Sequence, residues 1–287
     1  MTIPDSITAF LKSELSISIK AVKSVSGGSI NQAAKISTER GDLFLKWNRS
    51  APNNFFEKEA AGLQLLRSAS SGLRVPEVVA EHGADGDRPG FLLMEYIAPG
   101  SGGDSFRFGE ELAALHGNRA EKFGLEQDNY IGSLSQSNTY REHWLSFFAE
   151  MRIEPQLKMA VDSGNLSSTA QKGWIGLLKR LDTIIPECKP SLLHGDLWSG
   201  NYMFDNNGRA VLIDPAVYYG HPEMDLSFTK MFGGFDASFY DGYRSAAPLE
   251  PDFEDRVPVY NLYPLLVHVN LFGGHYSDQC RRFLMKF

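Results

Sequence analysis

His194-Gly195-Asp196-Leu197-Trp198-Ser199-Gly200-Asn201, HGDLWSGN in one-letter code, is the stretch on which the reading of the chain turns. Taken alone, an Asp and an Asn beside glycines are ordinary turn formers, because their short side chains bond to nearby backbone. The surroundings argue for more. Thirteen residues after Asn201, the apolar run AVLID ends in Asp214. Phosphoryl transfer from ATP requires a carboxylate that orients the attacking hydroxyl and takes its proton. It also requires oxygen ligands that hold Mg2+ on the phosphates. An H-x-D-x-x-x-x-N loop followed by a hairpin and a second Asp supplies that set, with Asp196 as base and Asn201 and Asp214 as metal ligands. Three specific residue types at these offsets rarely coincide by chance in a chain of this length.

Composition narrows the setting. The 287 residues, 43% of them hydrophobic and 22% charged, are enough for a buried core. A net charge of -7 argues against a nucleic-acid or anionic-membrane partner, since phosphate backbones reward basic patches. Cys188 and Cys280 are the only cysteines and form no CxxC pair, which excludes a zinc or disulfide framework. The N-terminus lacks the basic and continuously apolar regions of a signal peptide, and no apolar run reaches membrane-spanning length. A reducing cytoplasmic setting is therefore expected.

The periodicities predict an α+β chain in two lobes. Ser6 is expected to cap a short amphipathic helix that turns Ile7, Phe10, Leu11 and Leu15 inward. AVKSVSGGSINQAAKIST then reads as two strands about a Gly-Gly turn, and DLFLKW as a third. FFEKEAAGLQLLRS is helical in period. VPEVVAEHG and FLLMEYI read as strands joined by ADGDRPG. The Gly/Ser/Pro-rich IAPGSGGD closes a β-rich lobe, residues 1–97. Residues 98–287 form a mostly helical lobe, carrying one hairpin in NYMFDNNGRAVLIDPA.

The first lobe supplies what the opening loop lacks. Lys46, on a strand after a Gly-containing hairpin, is placed to reach the α and β phosphates, and a lysine facing phosphate is expected to add little to folding. Glu59 on the next helix is the partner preferred for it, as it precedes the apolar run. Glu57 fits the helix phase as well. Gly27 and Gly28 allow backbone N–H groups and Ser29 to approach phosphate oxygens, although SVSGGSIN is neither a Walker loop nor a full GxGxxG. Met94, Glu95, Tyr96 and Ile97, at the lobe boundary, are placed to offer backbone groups to adenine.

With these residues named, the chain resembles the fructosamine/ketosamine kinase family, within the protein-kinase-like and aminoglycoside-phosphotransferase-like fold. The resemblance covers nearly the whole chain. It is carried by SGGSI, FLKW, FEKEAAGL, LLMEYI, LAALH, FGLEQDNYIG, HGDLWSGN, IDPA and GHPEMDLSFTKMFGGF. It implies ATP as cofactor and Asp196 as proton acceptor. Its acceptor is a small-molecule or protein-bound ketosamine, phosphorylated at the C3 hydroxyl. The resulting ester breaks down and frees the amine, so the implied role is protein deglycation. Family members often carry a Cys in the Gly-rich loop, where this chain has Ser29, which puts thiol regulation through that loop in doubt.

Trp198 stands where protein kinases place a Lys. It supplies either a flat apolar wall for the C–H face of a sugar or packing beneath the loop. Gly195 replaces the Arg through which some protein kinases sense activation-loop phosphorylation, so no such switch is expected. His116 reads as a buried structural histidine, His194 as a brace for the loop, and Asp225 as a cap or loop anchor. His221 and Glu223 are expected to line the acceptor site. Two rival readings stand beside this one: a kinase for an aminoglycoside or amino alcohol, and a nucleotide-binding pseudokinase.

Overall fold

The structure, a computed structural model, describes residues 2–25, 30–70 and 72–287. Gly27, Gly28 and Ser29, with the phosphate contacts expected of them, lie outside the described residues. The chain clusters into two compact units, Met1–Asp104 with Gly200–Pro215, and Ser105–Ser199 with Ala216–Phe287.

The first unit runs α1 (Asp5–Ser13), β1 (Ala21–Ser24), β2 (Gln32–Thr38), β3 (Gly41–Asn48), α2 (Phe55–Ala69), β4 (Val78–His82) and β5 (Gly90–Glu95). The strands form one antiparallel sheet in the order β1-β2-β3-β5-β4. Successive side chains of a strand point to opposite faces. Ala34, Ile36, Leu45, Trp47, Phe91 and Leu93 share one face and close a core with Ile7 and Leu11 of α1. Lys46, between Leu45 and Trp47, therefore points to the opposite face, toward Glu59 of α2. The cap of α1 differs from the sequence expectation. The Pro4 carbonyl, not the Ser6 hydroxyl, accepts from Ile7 N at 3.0 Å and Thr8 N at 3.1 Å. The ring of Pro4 already fixes a φ suited to the helix entry, so the helix begins two residues early, at Asp5.

The hairpin Tyr202–Phe204/Ala210–Leu212 packs with this first unit, although it lies far along the chain. Its backbone is stitched to Arg74, with Arg74 N donating to Ala210 O at 2.8 Å and Leu212 N to Arg74 O at 2.9 Å. The Arg74 guanidinium bonds Asp205 at 2.7 Å and also reaches Glu95. Gly100 N adds a bond to Phe204 O at 2.7 Å. These bonds draw the 97–104 segment into the first unit, so the division falls after Asp104 and not after Ile97.

The second unit is mostly helical. Its core gathers Trp144, Phe147, Phe148, Ile153, Leu157, Trp174, Tyr260 and Leu266 with other apolar side chains. Ser191–Leu193 and Tyr218–Gly220 pair antiparallel and carry the chain into and out of the opening loop. Wide helical turns at Phe148–Ile153 join the helices Trp144–Phe147 and Glu154–Asp162. Among the described residues, no helix is long and apolar enough to cross a membrane.

Candidate active site

In the first unit, Lys46 is the centre of an ion-pair triad. Its Nζ lies 2.7 Å from Glu59 Oε1 and 2.8 Å from Asp214 Oδ1, with only 7% of the side chain exposed. Glu57, the alternative partner, points to solvent and pairs with Lys58 at 3.1 Å. Burial on its own would lower the Lys46 pKa. The charges of Asp214 and Glu59 outweigh it and hold the ammonium above the ordinary lysine range. Burial, together with the neighbouring charge of Asp214, holds the Glu59 carboxyl above its ordinary range despite Lys46.

Asp214 has φ 54°, a left-handed conformation that Asp tolerates better than most side chains. It follows the strand Ala210–Leu212, and Ile213 N donates to Asn201 O at 3.0 Å. Asn201 Nδ2 reaches Asp214 O at 3.5 Å, so the two residues are neighbours across the hairpin. Together they offer a carboxylate and an amide oxygen. Mg2+ is commonly held by one or two such oxygen donors plus substrate phosphates and water, so this donor set fits the ion.

At the end of β5, Met94 and Ile97 are buried and the ring of Tyr96 lies 4.5 Å from Lys35 Nζ. Glu95 N donates to Glu77 O at 2.8 Å and its carboxylate bonds Arg74, which fixes the backbone at the end of β5.

In the second unit, Asp225 organises the loop that bears Asp196. One Asp225 oxygen accepts from His194 N at 2.8 Å and the other from Gly195 N at 2.9 Å. His116 Nε2 reaches the same carboxylate at 3.2 Å, while its Nδ1 meets the Tyr243 hydroxyl at 2.9 Å. His194 Nδ1 accepts from Asp196 N at 3.2 Å. Asp225 is thus the loop's anchor and lies within the helix Glu223–Met231. Gly195 has φ 82°, and a Cβ there would stand 2.0 Å from Ala216 O, so no side chain fits. Close passage of the chain explains this glycine.

His221 and Glu223 are not where the sequence reading put them. Both are buried, and neither lines the cleft beside Asp196. Glu223 is gripped by Arg256, Nε to Oε2 at 2.7 Å and Nη2 to Oε1 at 2.5 Å. His221 Nδ1 accepts from Glu223 N at 3.1 Å, and burial, then the charge of Arg256, pushes its pKa down to about 3. In sequence the pair reads as lining the acceptor site, and nothing nearby in the chain shows its burial. Arg256, 33 positions on, makes it interior.

The cleft beside Asp196 is walled by residues the sequence reading passed over, chiefly Phe228, Tyr263, Pro264, Val267 and His268. The last four lie on the helix Leu262–Phe272, whose LYPLLVHVNLF sequence signals burial alone. The Tyr263 hydroxyl donates to Gln136 Oε1 at 2.6 Å, which fixes its ring. Behind Tyr218, another wall residue, the fully buried Arg152 guanidinium stacks at 3.9 Å and donates to Ser137 O and Asn138 Oδ1 at 2.6 and 2.7 Å. His268 Nδ1 donates to Pro264 O at 2.7 Å.

Comparison with known proteins agrees across the whole chain. The sequence model of the family described as fructosamine kinase matches residues 4–287. The chain belongs to that family. A protein of Lactiplantibacillus plantarum named a ketoamine kinase is 41% identical over 271 residues, which is 94% of this chain and 95% of the other. The Arabidopsis thaliana protein-ribulosamine 3-kinase, chloroplastic, is 40% identical over 91% of this chain and 80% of its own. A crystal structure assigned to a fructosamine-3-kinase of Thermobifida fusca superposes with a TM-score of 0.85 at 35% identity, covering 99% of this chain and 100% of that one. In fold alone, the likeness extends to the aminoglycoside phosphotransferase APH(4)-Ia, with a TM-score of 0.61 at 17% identity over 97% and 98% of the chains. This fructosamine kinase family member is therefore α+β and kinase-like in fold.

Proposed function

We propose that this protein is an ATP-dependent kinase that phosphorylates the C3 hydroxyl of ketosamines, the adducts of a sugar with an amine. The observation that carries the reading is the Lys46 ammonium clasped between Glu59 and Asp214. A fixed and permanently charged lysine of this kind is suited to α and β phosphate oxygens, because charge-assisted bonds to phosphate are strong and need little reorganisation. Asn201 and Asp214 are the residues that would hold Mg2+. Bound there, the ion would neutralise charge on the transferred group. Asp196 accepts the proton of the attacking hydroxyl. Asp225 keeps the Asp196 backbone in place through the N–H groups of His194 and Gly195. Trp198 offers a flat face to the C–H side of the sugar.

The product ester of a ketosamine breaks down and releases the amine, so the biological role is deglycation of small or protein-bound amines. Two free cysteines suit a reducing compartment such as the cytoplasm. The test is ADP release with ATP and Mg2+ against fructosyl- and ribosyl-amines, aminoglycosides and amino alcohols, with Asp196→Asn as control. Turnover confined to ketosamines upholds the reading. Turnover only with an aminoglycoside or amino alcohol replaces the acceptor, and none with any of them makes the chain a pseudokinase.

A further inference from the structure

Behind the cleft wall runs a chain of buried amides whose direction is fixed from one end. Arg152, fully buried on the wide turns Phe148–Ile153, donates through Nη2 to Asn138 Oδ1 at 2.7 Å. Arginine has no acceptor, so Asn138 must turn its oxygen this way. Asn138 Nδ2 then donates to Asn129 Oδ1 at 2.9 Å, and Asn129 Nδ2 to Val217 O at 2.8 Å. Gln136 Nε2 donates to the same Asn129 oxygen at 2.8 Å and to Ala216 O at 3.1 Å. Gln136 therefore turns its oxygen to Tyr263, and the Tyr263 hydroxyl has to be the donor in their 2.6 Å bond. Asn129, Gln136 and Asn138 are at most 7% exposed, and a buried network with every amide satisfied holds one arrangement.

The consequence falls on Tyr263. With its proton committed to Gln136, its oxygen has only lone pairs to offer. Its ring walls the cleft beside Asp196. Burial holds the phenol above its ordinary pKa; the Arg152 charge opposes this, and Tyr218 and the charge of Asp196 reinforce it. The hydroxyl thus stays protonated and within reach of the Asp196 field. The Nδ1–H of His268 is taken by Pro264 O, while Phe228, Pro264 and Val267 carry no side-chain donor. The cleft accordingly presents two acceptors, the Asp196 carboxylate and the Tyr263 oxygen. They suit a ligand that donates twice from neighbouring atoms, as a vicinal diol does. In an open-chain ketosamine, C3 is flanked by the C4 hydroxyl, which donates, and the C2 carbonyl, which does not.

We propose that Tyr263 is a specificity-determining residue for the acceptor, its oxygen accepting from the C4 hydroxyl of the sugar while Asp196 takes the proton of the C3 hydroxyl. The inference rests on the ketosamine kinase reading. The amide chain from Arg152 keeps the Tyr263 oxygen an acceptor, so the site favours a hydroxyl over a carbonyl or ether oxygen at that position.

The experiment compares fructosyl-methylamine with its 4-deoxy analogue in the full-length wild type and in Tyr263→Phe, which keeps the ring and removes the oxygen. The wild type should show a kcat/KM lower by about fivefold to tenfold on the 4-deoxy acceptor, as for loss of one neutral hydrogen bond. Tyr263→Phe should lose a similar factor on fructosyl-methylamine and stay within about twofold of wild type on the 4-deoxy acceptor, because the bond is already absent there. Its ATP KM should also stay within about twofold. Equal wild-type kcat/KM on the two acceptors would overturn the proposal whatever the stability of the variant. Equal losses in Tyr263→Phe on both acceptors would overturn it too, leaving Tyr263 a packing residue. A wild type that turns over neither acceptor would instead overturn the ketosamine reading beneath it.

Discussion

Lys46 Nζ stands 2.7 Å from Glu59 Oε1, tying β3 to α2 through a pair whose side chains are only 7% and 10% exposed. A lysine so placed matters to folding as well as to nucleotide, contrary to what its position in the sequence alone suggests. Removing one partner leaves the other charge buried without compensation.

Lys46→Met should therefore abolish activity and also destabilise the protein, by about 3 kcal/mol in urea unfolding. Adding Glu59→Gln should restore part of that stability and none of the activity, as expected for directly coupled residues. A single variant as stable as wild type would show that the pair contributes nothing to folding.

Asp196→Asn and Asp225→Asn should fail differently. The first should lower kcat by about a hundredfold or more with the melting temperature unchanged, because a positioned base is lost and little packing. The second should lower both, since Asp225 accepts from two backbone N–H groups of the loop and from His116. Half the wild-type rate in Asp196→Asn would remove that residue from its role.

Asp214→Asn and Asn201→Ala should each raise the Mg2+ concentration for half-maximal rate. Titration of metal at saturating ATP reads this directly. Unchanged midpoints in both variants would place the ion elsewhere.

The buried His221 predicts an acid-side loss of stability. Its folded pKa is near 3, against an ordinary value of 6.5 for the unfolded chain. Between those values the unfolded state binds a proton that the folded state lacks, so stability falls as pH drops below 6.5. By pH 5 the loss from this one group is about 2 kcal/mol. Urea unfolding at pH 7.5 and pH 5 should show a shallower loss in His221→Asn than in wild type. Parallel slopes would mean that His221 is protonated in the folded protein.

Trp198→Leu keeps apolar bulk and removes the ring. It should bind ATP normally and raise the ketosamine KM several-fold, about 1 kcal/mol, with kcat falling if the hydroxyl is misaligned. An unchanged acceptor KM beside a lower melting temperature would make Trp198 a packing residue.

The strands, the hairpins and the spacing from His194 to Asp214 could be read from the chain because they depend on neighbours within about twenty residues, where period and turn chemistry act. The alternation along β3 also implied that Lys46 and its apolar neighbours face opposite ways. Three features could not be read in this manner: the withdrawal of Glu223 into the grip of Arg256, the attachment of the hairpin through Arg74, and the cleft wall on Leu262–Phe272. Each turns on a side-chain direction or on a partner remote in sequence. Hydrophobic pattern specifies that a helix is buried, and the same pattern serves a core and a cleft wall alike. Which of the two it becomes is settled only when the chain closes and burial, charge pairing and packing act between residues that the sequence keeps apart.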